Sequence, residues 1–177
     1  EGRWRFTGNG RPTAVTNNAT FAVRPGAENL LYLPLYNGVE SVMIGIPGER
    51  SLARPSPSPR DRIKPVVFYG TSITQGGCAS RPGMACAAIV GRRLDVPVLN
   101  LGFDASGKME PEMASLLAEL DPSAYVLDCL WNMTGQMVSE RVAPFVRTLR
   151  QARPGTPIFL VEDSNFRNIT PTGMGRR

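Results

Sequence analysis

The sequence predicts an α/β fold in which a parallel sheet is covered by helices on both faces. Three observations support this. Four short apolar runs between residues 65 and 161 alternate with segments of helical periodicity, the pattern of βαβ units. The runs are continuous rather than alternating, as strands buried on both faces require. Three of them end in clusters of small and polar residues, at the carboxyl ends of strands where open parallel sheets bind ligands.

Residues 1–49 have a different character. Residues 4–6, 20–23, 30–33 and 41–46 are short β-favouring runs, separated by the turn-forming combinations Gly8-Asn9-Gly10, Arg24-Pro25-Gly26 and Asn37-Gly38. So short a set of strands has little core of its own. It reads as a partial β-sandwich segment preceding the α/β domain. Arg54-Pro55-Ser56-Pro57-Ser58-Pro59-Arg60 follows; alternating prolines favour a stiff, extended connection, so residues 50–62 read as a linker.

The remaining residues, 63–177, carry the α/β pattern. Residues 65–69 are the first strand. A helix is expected from about Pro82 to Leu94, because proline suits a first helical turn. Residues 96–101 form the second strand. Met113, Leu116, Leu117 and Leu120 recur at the spacing of one helix face. Residues 124–128 are the third strand. Val138, Val142, Phe145, Val146 and Leu149 mark another helix, which Pro144 is expected to kink or split. Residues 157–161 are the fourth strand.

Composition narrows the possible functions. Hydrophobic residues make up 42% and charged residues 20% of the chain, ordinary values for a globular protein. The formal charge is +5, and all the basic residues except Lys64 and Lys108 are arginines. They are scattered rather than clustered, so no nucleic acid partner is expected. No stretch reaches the roughly 18 apolar residues of a membrane span, and no membrane association is expected. Cys78, Cys86 and Cys129 include no CxxC pair, and the chain has no histidine. Neither a metal site nor a disulfide framework is expected, and the thiols read as reduced and mostly buried.

The first strand runs into Gly70-Thr71-Ser72-Ile73-Thr74-Gln75-Gly76, which presents a serine just past a central strand. Read alone, this is either a nucleophile or a simple strand-to-helix turn; neither phosphate-loop pattern is present. The second strand leads into Asn100-Leu101-Gly102-Phe103-Asp104-Ala105-Ser106-Gly107-Lys108, and the third into Asp128-Cys129-Leu130-Trp131-Asn132. A tight turn of small residues and an asparagine amide are suitable hydrogen-bond donors to an oxyanion. Taken singly, Asn132 reads as a helix cap, and Lys108 as a surface or substrate-side cation.

Together these blocks resemble the SGNH/GDSL hydrolase superfamily. Residues 69–84 are similar, more narrowly, to its bacterial subgroup with an N-terminal β-sandwich. The resemblance implies a flavodoxin-like parallel sheet and a serine esterase acting on small acyl esters, small-molecule or carbohydrate acetyl esters among them, without metal or organic cofactor. It makes Ser72 the nucleophile, with its own backbone N–H as one oxyanion donor and the Asn132 side chain as another. The donor of the second block falls on Ala105 without a gap, or on Gly107 with a two-residue shift. Gly70 and Thr71, beside the serine, and Asp163, at the end of the fourth strand, are expected to contact substrate. The resemblance also implies a C-terminal Asp-x-x-His that these residues lack, so the chain reads as a piece truncated at both ends and inactive alone. The other reading is a non-catalytic carbohydrate- or protein-binding relative.

Overall fold

Branched and aromatic side chains pack well on a pleated surface, and the four apolar runs become the strands β1 (Val66–Gly70), β2 (Val98–Gly102), β3 (Ala124–Asp128) and β4 (Ile158–Leu160). They form one sheet in the order β2-β1-β3-β4, every pair parallel. The protein is described by a computed structural model covering residues 4–57 and 59–162. The sheet is α/β and flavodoxin-like, as expected. Val66 pairs with Val98 on one side and Ala124 on the other. β1 is thus flanked by strands on both edges, and Val67 and Tyr69 are wholly buried.

The helices are α1 (Ser72–Gln75), α2 (Cys86–Leu94), α3 (Pro111–Glu119) and α4 (Gly135–Ala152). α3 and α4 pack against each other, and α2 lies beside β2. Alternate residues of two strands, Val67, Tyr69, Tyr125 and Leu127, share one core with Ala114, Leu117, Phe145 and Leu149. Within it Tyr69 stacks on Phe145, ring centroids 5.5 Å apart. The buried Tyr125 hydroxyl donates to the Leu117 carbonyl at 2.8 Å, which satisfies a group that would be costly to bury unpaired.

Several elements depart from expectation. The segment from Pro82 is a 3-10 turn, Pro82–Met84, separated from α2 by the extended Ala85 (ψ 146°). Of the stripe expected on α3, Leu117 is in the core and Met113 and Leu120 pack against it, but Leu116 is 55% exposed and Ala114 is buried in its stead. A small alanine at the helix–helix contact is a core residue that a search for large apolar side chains under-weights. α4 runs unbroken through Pro144. That residue is exposed, so the hydrogen bond it forfeits lies where water can replace it.

The strands expected within residues 1–49 are absent among the described residues, which form bends, turns and extended chain without a ladder. Strands need both backbone partners and cover for their apolar face. Here that cover is lacking, and Met43 is 92% and Ile44 64% exposed. The segment nevertheless touches the α/β part at defined points. Arg92 donates to the Tyr32 hydroxyl at 2.8 Å, and Gln75 donates to the Leu35 carbonyl at 2.9 Å. Arg81 lies 4.3 Å over the Phe6 ring, within cation–π range. Residues 51–57 are exposed and without regular structure.

Leu149→Ala is expected to lower unfolding stability by about 2–5 kcal/mol through the cavity it leaves, measured by urea denaturation. Leu116→Ala should stay within about 1 kcal/mol, because most of that side chain is already in water.

Candidate active site

β1 has β2 on one side and β3 on the other, so the chain changes winding direction at its carboxyl end, where such sheets open a crevice. Ser72 lies there, half-buried, as the first residue of α1. The turn is built locally. Thr71 stays extended and caps α1, its hydroxyl accepting the Ile73 N–H at 3.3 Å. Its own N–H donates to the Asp128 carbonyl at 3.2 Å, and the Thr74 hydroxyl donates to Asp128 Oδ2 at 2.8 Å. The end of β3 therefore grips α1 through both its backbone and its side chain.

The far end of α1 is equally constrained. The Ser72 carbonyl accepts the Gly76 N–H at 3.0 Å, the Gly77 N–H at 2.7 Å and the Tyr36 hydroxyl at 3.0 Å. Partial burial raises the Tyr36 phenol above its ordinary pKa, and the nearby Asp104 and Cys78 act in the same direction. A hydrogen bond with Ser72 acts in the opposite direction without reversing the shift.

The second block meets the first across a contact that only glycine allows. Gly107 has φ +70°, and a Cβ built on it would lie 2.1 Å from the Gly70 carbonyl oxygen and 3.1 Å from the Thr71 nitrogen. Ala105 is also left-handed, with φ 56°, but it is exposed whereas Gly107 is buried. Of the two alignments left open by the sequence, the structure puts Gly107 beside the serine's turn. The second glycine of the block, Gly102, is just as constrained: a Cβ there would fall 2.0 Å from the Gln75 nitrogen. Asn100 bridges the same gap, accepting from Gly102 N at 3.0 Å and donating to the Gln75 carbonyl at 3.3 Å.

The third block closes the arrangement. Asn132 Nδ2 donates to the Ser106 carbonyl at 2.7 Å. One amide hydrogen is therefore spent on the 105–107 turn, and a primary amide has a second. Asn132 is not the cap of α4; Thr134 is, with its side chain accepting the Met137 N–H at 3.2 Å. The peptide preceding Ser72, the 105–107 turn and Asn132 are thus joined by contacts from one segment to the next.

Gly70 and Thr71, expected to contact substrate, are both buried, and the Thr71 hydroxyl accepts the Ile73 N–H as the cap of α1. Asp163 lies outside the described residues. The sequence reading missed Thr74, Asp128 and Tyr36. A threonine two residues past the serine and an aspartate at a strand end carry a weak pairing signal, but Tyr36 carries none, since only folding brings it near residue 72. The thiols also differ from expectation: Cys78 and Cys86 are exposed and Cys129 is wholly buried. Burial pushes the Cys129 thiol up to about 12.

The model of the GDSL-like Lipase/Acylhydrolase family matches residues 63–171. No curated protein matched the chain. Among solved structures the chain is similar to a GDSL-like lipase candidate from Bacteroides ovatus, with 45% identity and a TM-score of 0.54, over 55% of this chain and 29% of that one. It also aligns with SsfX3, a salicylyl-acyltransferase from a tetracycline biosynthetic pathway, with 21% identity and a TM-score of 0.43, over 54% of this chain and 31% of that one. It thus spans less than a third of the length of either.

Gly107→Ala should cost roughly 2 kcal/mol or more, from left-handed strain and the clash with the Gly70 carbonyl, while Ala105→Gly should be neutral or stabilising; urea unfolding of both variants checks this. In the native state at pH 8 a disulfide-exchange reagent should titrate Cys78 and Cys86 and spare Cys129, whose thiol is neutral far below its raised pKa and becomes reactive only on unfolding.

Proposed function

The chain belongs to the GDSL-like lipase/acylhydrolase family, and from that premise we propose that the intact protein is a serine esterase with Ser72 as its nucleophile. The observation that carries the reading is the junction of the three blocks: a half-buried serine at the end of the central strand, with the Gly107 turn against its preceding peptide and Asn132 bonded to that turn.

In this reading Ser72 Oγ attacks the carbonyl carbon of a small acyl ester, and its proton passes to a base. Negative charge on the tetrahedral intermediate is taken up by the backbone N–H of Ser72, the N–H of Gly107 and the second amide hydrogen of Asn132. Fixed donors of this kind are worth more than flexible ones because they need not reorient as charge develops. Collapse of the intermediate breaks the bond to the alcohol, which leaves with the proton, and water then releases the acid from the acyl-serine. A serine hydroxyl is a poor nucleophile near neutral pH without a base beside it. The 177 residues contain no histidine, so this reading proposes that the base is supplied from outside them and that the chain alone is inactive. Acetyl esters of carbohydrates or small molecules are the proposed substrates.

The lack of histidine equally favours a second reading, in which the fold only binds a sugar or a protein partner. A fluorophosphonate probe separates the two. On the intact protein it should label Ser72, and Ser72→Ala should abolish both labelling and acetyl-ester turnover, a fall of roughly a thousandfold or more. An intact protein whose Ser72 stays unlabelled, and whose ester turnover does not exceed background, fits the binding reading instead.

A further inference from the structure

Three of the five residues from Ala105 to Met109 have left-handed backbone: Ala105 at φ 56°, Gly107 at φ 70° and Met109 at φ 52°. A stretch like this persists only where its surroundings hold it. At its base both polar groups of Lys108's backbone are taken by side chains. Its N–H donates to Glu110 Oε2 at 2.9 Å, and its carbonyl accepts from Arg141 Nη1 of α4 at 3.1 Å. Glu110 Oε2 also accepts from the Tyr69 hydroxyl. Tyr69 lies in β1, wholly buried and stacked on Phe145, so this anchor cannot shift without disturbing the core.

An acidic residue just before Pro111 reads most simply as the N-cap of α3. Glu110 does occupy that position, yet its side chain makes no capping bond. Its carboxylate turns back to Lys108 and Tyr69 instead. We infer that Glu110 is a positioning residue for the proposed reaction, pinning the 105–109 loop, and with it the Gly107 turn, to β1, the strand that leads into the nucleophile's turn. The activity arm of this inference rests on the esterase reading of Ser72. The charge state agrees with the geometry. Burial alone would raise the Glu110 carboxyl, but hydrogen bonds from Tyr69, its own N–H and the Lys108 N–H, with the Arg141 charge nearby, outweigh it and hold the group below the usual carboxylate range. It is therefore an ionised acceptor, and such hydrogen bonds are the stronger kind.

The test uses the intact protein with Glu110→Ala, Glu110→Gln and Tyr69→Phe, read by p-nitrophenyl acetate kinetics and by amide hydrogen exchange over residues 105–109. Glu110→Ala should lower kcat by roughly 10- to 100-fold with KM within about threefold, the pattern of a misplaced oxyanion donor. Exchange should rise about tenfold or more at residues 105–109 while the strands keep their protection. Glu110→Gln keeps an oxygen acceptor and should recover most of both losses. Tyr69→Phe should move both readouts in the same direction by less. An alanine variant with wild-type kcat and unchanged exchange overturns the inference, as does exchange that rises uniformly across the fold. If the alanine variant does not fold, a Tyr69→Phe protein unchanged in both readouts overturns it. If the wild type neither turns over ester nor is labelled at Ser72, the esterase reading fails on its own, and local exchange in the variants still decides whether Glu110 pins the loop.

Discussion

The candidate site depends on one close approach, that of Gly107 to the peptide joining Gly70 and Thr71. No side chain fits between them, since a Cβ would sit 2.1 Å from the Gly70 oxygen. That contact sets the distance between the loop after β2 and the turn after β1. Asn132 is bonded to the same loop through Ser106, so its place follows from the contact as well. A glycine at a left-handed position is expensive for folding in the abstract, but here it lets two loops share space that any other residue would fill.

The sheet makes that approach possible. With β1 between β2 and β3, the loops after all three strands emerge side by side at one edge. β3 then contributes twice, through its neighbouring position and through Asp128, whose carbonyl and carboxylate hold Thr71 and Thr74. Beneath the turn, Tyr69 belongs to the hydrophobic core and also donates to Glu110 at the surface of that core. Stability and site geometry thus share residues, which places the serine on a rigid base rather than on a free loop.

The segment before the α/β part enters this arrangement from outside the region that matches the family. It forms no strands of its own among the described residues, yet Tyr36 donates to the Ser72 carbonyl and Leu35 accepts from Gln75. α1 has only one turn, too short to be stable by itself. Its termini are satisfied by caps from several directions: Thr71 at the start, Gly76 and Gly77 at the end, and the phenol of Tyr36 beside them.

Much of this could be read from the residues alone, because the deciding features are local. Continuous apolar runs such as residues 65–69 favour strands locally, although only β1 is buried along most of its length and no residue of β2 or β4 is buried. Gly70, Thr71 and Ser72 make a turn into a short helix. The four strands, the serine at the end of the first and the helical stripe of α4 all follow from such local patterns. The sequence could not choose between Ala105 and Gly107, since both tolerate the turn locally and only the distance to Gly70 separates them. Nor could it show that Thr71 is buried, that Asn132 bonds to Ser106, or that Tyr36 reaches Ser72. These depend on segments far apart in the chain, and their energies exist only once the sheet has brought the segments together.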